Sequence, residues 1–118
     1  MSAIERFAQR LSQFQGVEHF VLARNDGQLV THNLSEPDDL ASLVTLCGLN
    51  AQAIRKTIGF SRFRHLVCTN ARQANLIIFP LDRYFLGIFK RTGANQAELI
   101  DEVSRFLQRL TVPQPAGS

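Results

Sequence analysis

Two cysteines, Cys47 and Cys68, are too few for a disulfide framework, and neither has a His or Cys neighbour at metal-ligand spacing. They read as small apolar residues, one on a helix stripe and one in a strand. No apolar run approaches the ~20 residues of a membrane-crossing helix, so no membrane partner is expected. The start, Met1-Ser2-Ala3-Ile4-Glu5-Arg6, has neither the basic stretch nor the apolar block of a secretory leader. A cytoplasmic protein is the expectation. Also missing are the G-x-x-x-x-G-K-S/T loop that cradles phosphates and the G-x-S-x-G turn of a nucleophilic serine. No repeat, low-complexity block or interdomain linker interrupts the chain.

What is present is enough apolar material for one core. Of 118 residues, 45% are hydrophobic, which fits a single globular domain. The domain is read over residues 1–111, with 112–118 as a flexible tail beginning near Pro113 and Pro115. The net charge of +3 permits contact with an acidic partner, but the basic residues are scattered from Arg6 to Arg109. A nucleic-acid site calls for a tighter patch or a binding motif, and the chain has no such motif.

Ile4, Phe7, Ala8, Leu11 and Phe14 have helical spacing, which predicts an amphipathic helix over 3–14, ended by Gln15-Gly16. Val17 to Ala23 and Gln28 to Asn33 are strands joined at Asn25-Asp26-Gly27, a strong hairpin signal. Ser35-Glu36-Pro37-Asp38 opens a long helix, with Ser35 as its cap and acids at the positive end of its dipole. Gly59 closes it. Three strands follow: Phe63–Asn70, then Leu76–Phe79 after the turn Ala71-Arg72-Gln73, then Tyr84–Lys90 after Asp82-Arg83. The last helix starts at Gly93-Ala94-Asn95, where Asn95 and Glu98 resemble a capping box. Leu99, Ile100, Val103, Phe106, Leu107 and Leu110 line its apolar face.

The strands Phe20–Ala23, Leu76–Phe79 and Tyr84–Phe89 are apolar on both faces and belong at the centre of a sheet. Gln28–Asn33 and Phe63–Asn70 are mixed and belong at its edges. Hairpin connections then give an α/β sandwich (α+β) with a five-stranded, mostly antiparallel sheet in the order 2-1-5-4-3. The long helix covers one face and the two terminal helices the other. Arg62, Arg64 and His65 suit the guarding of an exposed third strand, and equally suit the flanks of a pairing edge.

The long helix carries more apolar surface than one face requires. Leu40, Val44, Cys47, Ala51, Ile54 and Ile58 form a stripe at spacings of three and four, which reads as its core face. Leu43, Leu46, Ala53 and Leu49 continue around the wheel to nearly the opposite side. Little chain remains for another layer, so a second chain is the favoured cover. Gly48 inside this helix costs ~1 kcal/mol relative to Ala, and close approach by another helix would account for it. Gly87, in the last strand, would permit close helix packing. The candidate interface comprises Leu43, Leu46, Leu49, Ala53 and Lys56 on the helix with Arg62, Arg64 and Leu66 at the third strand.

The chain resembles the Roadblock/dynein light-chain family over about residues 3–110. The resemblance rests on Gly16-Val17 opening an apolar strand, Asn25-Asp26-Gly27 before Leu29-Val30, and the helix from Pro37 to Gly59. It continues through Asn75-Leu76-Ile77-Ile78-Phe79-Pro80-Leu81 and Tyr84-Phe85-Leu86-Gly87-Ile88-Phe89. The short form is similar to prokaryotic stand-alone members. The resemblance implies a homodimer or heterodimer in which third strands join two sheets and long helices lie side by side. It also implies a platform for a Ras-like small GTPase or another protein, with modulation of GTP hydrolysis in some members. The family has no catalytic signature to transfer.

The residues themselves give no catalytic constellation either. His19 and His32 fall on hairpin-paired strands, but a zinc site wants three or four ligands, and neither cysteine completes one. Asp38-Asp39 and Asp101-Glu102 read as solvated acids on helices. No cofactor, metal or enzymatic activity is expected. Three readings compete: a homodimeric, non-catalytic GTPase regulator, an enzymatic or ligand-binding α/β module, and a basic nucleic-acid-binding domain. The apolar excess on the long helix favours the first.

Overall fold

The computed structural model describes residues 2–59, 64–69 and 75–111. Arg62, the turn 71–73 and the tail 112–118 lie outside them, so the readings placed there concern undescribed residues. Helix α1 spans Ala3–Gln13. Ser2 accepts from the Glu5 N–H at 3.1 Å, and the Ser2 N–H donates back to the Glu5 carboxylate at 3.3 Å. This capping box satisfies two of the free backbone groups at the helix start. Strands β1, Val17–Arg24, and β2, Leu29–His32, form the expected hairpin. Strands β4, Asn75–Leu81, and β5, Tyr84–Lys90, form a second hairpin, with Asp82 at φ 49° in the turn. Helix α3 spans Gln96–Thr111, and the Asn95 side chain accepts from the Glu98 N–H at 2.9 Å.

The sheet order is β2-β1-β5-β4-β3, with every pairing antiparallel. Strand β3 is short, Leu66–Thr69, and lies at one edge. The sequence reading began this strand at Phe63, but Arg64 and His65 precede the ladder. It also stopped β4 at Phe79, whereas Pro80 and Leu81 still pair with β5. Proline terminates local pairing only on its N–H side, so a hairpin end tolerates it.

Two apolar clusters sit on the two faces of the sheet. One joins Phe20, Leu22, Ile77, Phe79, Leu86 and Ile88 to Leu11 of α1 and to Leu99, Val103, Phe106 and Leu107 of α3. Phe106 ties the two terminal helices together, its ring 5.6 Å from Phe7 and 5.8 Å from Phe14. The other cluster joins Val21, Ala23, Leu76, Ile78 and Phe85 to helix α2, Asp38–Thr57. Its helical members are Ala41 and Val44, with Thr45 also buried.

That second contact differs from the stripe expected. The helix is turned about a quarter-turn, so Ala41, Val44, Thr45 and Gly48 meet the sheet. Leu40, Cys47 and Ala51 lie at the margin, and Ile54 and Ile58 are exposed. The reason is close approach. A Cβ on Gly48 would stand 2.6 Å from the ring of Phe85, and one on Gly87 would stand 2.6 Å from Val44. Each glycine makes room for a large side chain of the other layer. Gly48 is therefore explained by a sheet phenylalanine rather than by a second helix, while Gly87 serves helix packing as expected. Ser35 makes no cap either: Pro37 occupies the N-cap position, and no side chain bonds there. The helix ends at Thr57 with Ile58 as its C-cap, and Gly59 follows at φ 84°, the left-handed conformation that closes a helix.

Candidate functional site

With small residues against the sheet, the large side chains of α2 are turned outward. Leu43 is 44% exposed, Leu46 57%, Leu49 43%, Ile54 61% and Ile58 56%. Ala53 and Lys56 are exposed beside them. Exposed single leucines are ordinary, but five large aliphatics on one helix form a patch that signals a contact surface. Leu43, Cys47, Ile54 and Ile58 follow one another at spacings of four, seven and four, so they form one shoulder of the helix. The sequence reading assigned Ile54 and Ile58 to the core. The signal that places them outside is the small-residue set Ala41, Thr45 and Gly48, which marks the sheet side.

In the sequence Ser42, Thr45, Gln52 and Lys56 flank the apolar residues of α2 as a polar rim, and the structure takes Thr45 out of it. It is buried instead, its hydroxyl donating to the Ala41 carbonyl at 2.9 Å and lying 3.4 Å from the Arg24 carbonyl. Ser42 is exposed and Gln52 half-buried, so they remain on the margin of the patch. The acids Asp38 and Asp39 stand in the first turn and Arg55 and Lys56 in the last, in the sense that favours the helix dipole.

The edge strand adjoins this shoulder. Leu66 is half-buried and packs on the α2-side cluster, and Arg64 is exposed just before the strand. Cys68 pairs in register with Leu76, which belongs to that same cluster. Cys47 of α2 and Cys68 both pack on that cluster. Burial, then the neighbouring Cys68 sulfur, pushes the Cys47 thiol above its usual range. The structure thus brings Leu43, Leu46, Leu49, Ala53 and Lys56 onto one helix, next to the edge that carries Leu66 and Arg64. Arg62 is outside the described residues.

The remaining concavities are of a different kind. A groove of about 650 Å³ runs between α3 and the ends of the sheet, lined by Arg64, His65, Asp101 and Arg105 among others. Asp101 and Arg105 pair at 3.2 Å, but both are well exposed, so the pair is solvated and weak. A second cavity of about 320 Å³ beneath α1 is apolar, bounded by Ile4, Phe7, Leu22, Val30, Leu81 and Tyr84. The histidines are dispersed in role. His32 Nδ1 accepts from the Leu34 N–H at 3.0 Å, and His65 lies 6.2 Å from the Phe79 ring. His19 Nδ1 is buried without a hydrogen-bond partner. Among the described residues no three His, Cys, Asp or Glu side chains cluster as a metal site would require, and no helix is long and apolar enough to cross a membrane.

No family model and no curated protein matches the sequence. Solved structures do match the fold. The Roadblock/LC7 domain from Streptomyces avermitilis superposes with a TM-score of 0.74 at 16% identity, covering 87% of this chain and 89% of that one. Myxococcus xanthus MglB gives 0.72 at 19% identity, covering 86% of each. LokiProfilin1, solved in complex with rabbit actin, gives 0.66 at 15% identity, covering 94% of this chain and 96% of that one. The chain has the Roadblock/LC7 fold. A fold shared at such identity does not carry a partner with it, and function has to be argued from the exposed surface.

Proposed function

We propose that this chain, built on the Roadblock/LC7 fold, is a non-catalytic regulatory scaffold of the cytoplasm. In this reading it pairs with a second copy and presents the pair to a Ras-like small GTPase. The carrying observation is the outward apolar side of α2, with Leu43, Leu46, Leu49, Ile54 and Ile58 uncovered opposite the buried Ala41, Val44 and Gly48. A two-fold axis beside that helix would lay two such patches against each other and set the two β3 edges side by side. Covered apolar centres with polar margins are the anatomy of a stable interface, and Ser42, Gln52 and Lys56 supply that margin.

The GTPase comes from the resemblance in sequence, not from the patch. The solvent face of the paired helices and the adjoining loops would hold it. Such a platform needs no inserted residue, because ordering the GTPase's own switch segments is enough to change its hydrolysis. A module that senses the switch must bind the two nucleotide states unequally. The test is titration of the Ras-like GTPase encoded nearest to this gene, loaded with GDP or a non-hydrolysable GTP analogue, against wild type and Lys56→Glu. Preference for one state, weakened by the charge reversal, is expected. Equal affinity for both states would reduce the role to a constitutive scaffold. Absence of binding would remove the GTPase from the reading.

A further inference from the structure

We propose that the apolar cavity beneath α1 is the seat of the chain's own segment Val112-Pro113-Gln114-Pro115, which follows the end of α3 beside it. The cavity, of about 320 Å³, lies on the sheet face opposite α2, where Phe7, Leu22, Val30 and Leu81 belong to the cluster shared by α1 and α3. Outside α2, two large apolar side chains are exposed among the described residues, Ile4 at 48% and Tyr84 at 38%, and both line this cavity. The inference concerns this face alone and holds whatever partner covers α2.

The terminal helices bring the segment to the cavity. Helix α3 begins near Gly16, where an added Cβ would stand 3.1 Å from Leu99. It ends at the other end of the sheet, where Leu107 and Gln108 border the wider groove together with Leu81 and Asp82. Leu81 and Asp82 also line the apolar cavity. Phe106 stacks on Phe7, a further residue of that lining. Helix α1 runs the opposite way, so its Ala3 and Ile4 stand at this same end. Helix α3 stops at Thr111, about 4.5 Å along its axis past Gln108. Four extended residues then reach roughly 12 Å at polyproline spacing, more than the width of a cavity of this volume. The chemistry of the segment matches the lining. Val112 to Pro115 carries no charge, so seating it desolvates no ion. Pro113 and Pro115 have no N–H to leave unpaired, and Pro113 favours extended backbone at Val112. Polyproline segments dock on aromatic-lined grooves with little entropy to lose, and Phe7 and Tyr84 supply the rings. The seated segment would strap α1 to the turn between β4 and β5.

Tyr84 is the only tyrosine and the chain has no tryptophan, so its emission reports on this cavity alone. The test measures acrylamide quenching of that emission in the full-length chain. Tyr84 should be shielded in the wild type. The shielding should be lost in Val112→Asp, whose carboxylate resists burial, while far-UV circular dichroism stays unchanged. Nuclear Overhauser contacts from the Val112 methyls to those of Ile4 or Leu81 should be present in the wild type, a readout independent of any variant's folding. Equal quenching of wild type and Val112→Asp, or absence of those contacts, would overturn the proposal. So would contacts found only between chains, which would make a second copy the occupant.

Discussion

Replacing Leu46 by Asp is the sharpest perturbation of the α2 surface. Leu46 is 57% exposed, so roughly half of its side chain remains for a partner to cover. Full burial of a leucine stabilises by about 1.5–3 kcal/mol, which leaves roughly 1–1.5 kcal/mol to be gained at this position. A two-fold contact uses it twice, so the apolar loss alone costs about 2–3 kcal/mol. That corresponds to a dissociation constant raised roughly 30- to 150-fold. Desolvating the new carboxylate adds to the cost in the dimer and adds nothing in a solvated monomer. The fold should suffer far less. Asp is a poorer helix former than Leu by about 0.5 kcal/mol, and partial packing against α2 neighbours is also lost. Together these lower the monomer's Tm by roughly 5 °C. Sedimentation velocity over a dilution series measures association, and thermal unfolding at the lowest concentration measures the fold. A variant that associates as wild type does would refute the placement of Leu46 at a contact. One that unfolds at room temperature would show that Leu46 supports the core.

Gly48→Ala should destabilise the protein by about 1–2 kcal/mol in urea unfolding, although Ala is the better helix former. The added Cβ would stand 2.6 Å from the buried Phe85 ring, and overpacking outweighs the propensity gain. A stabilised Gly48→Ala would contradict the close approach of α2 to the sheet. Asn95→Ala removes the acceptor that holds the Glu98 N–H at 2.9 Å and should cost about 1 kcal/mol by the same measurement. Unchanged stability there would mean that water replaces the cap without loss.

The topology was legible because its signals are local. Asn25-Asp26-Gly27 and Asp82-Arg83 mark hairpins, and two-sided apolar strands such as Leu76–Phe79 announce the sheet centre. The surplus of leucine on α2 was legible too, since Leu43, Leu46 and Leu49 span more of the wheel than one face requires. The rotation of that helix was not. Periodicity weights large residues, and here the sheet selects small ones, because Phe85 and Val44 fill the gap that Gly48 and Gly87 leave. That choice is made by residues nearly forty positions away in the chain, and no local pattern encodes it. Ile54 and Ile58 were consequently read as core. The Ser2–Glu5 cap is written in the sequence as S-x-x-E ahead of the first helix.

The central claim is that a second copy covers the outward side of α2, and solution mass tests it most directly. Sedimentation equilibrium of the reduced wild-type chain at tens of micromolar should give twice the 13.3 kDa chain mass. Dissociation should appear on dilution, or at the same concentration when Leu46→Asp is introduced. A single 13.3 kDa species across the whole concentration range would contradict the claim, leaving the apolar side of α2 to a different partner.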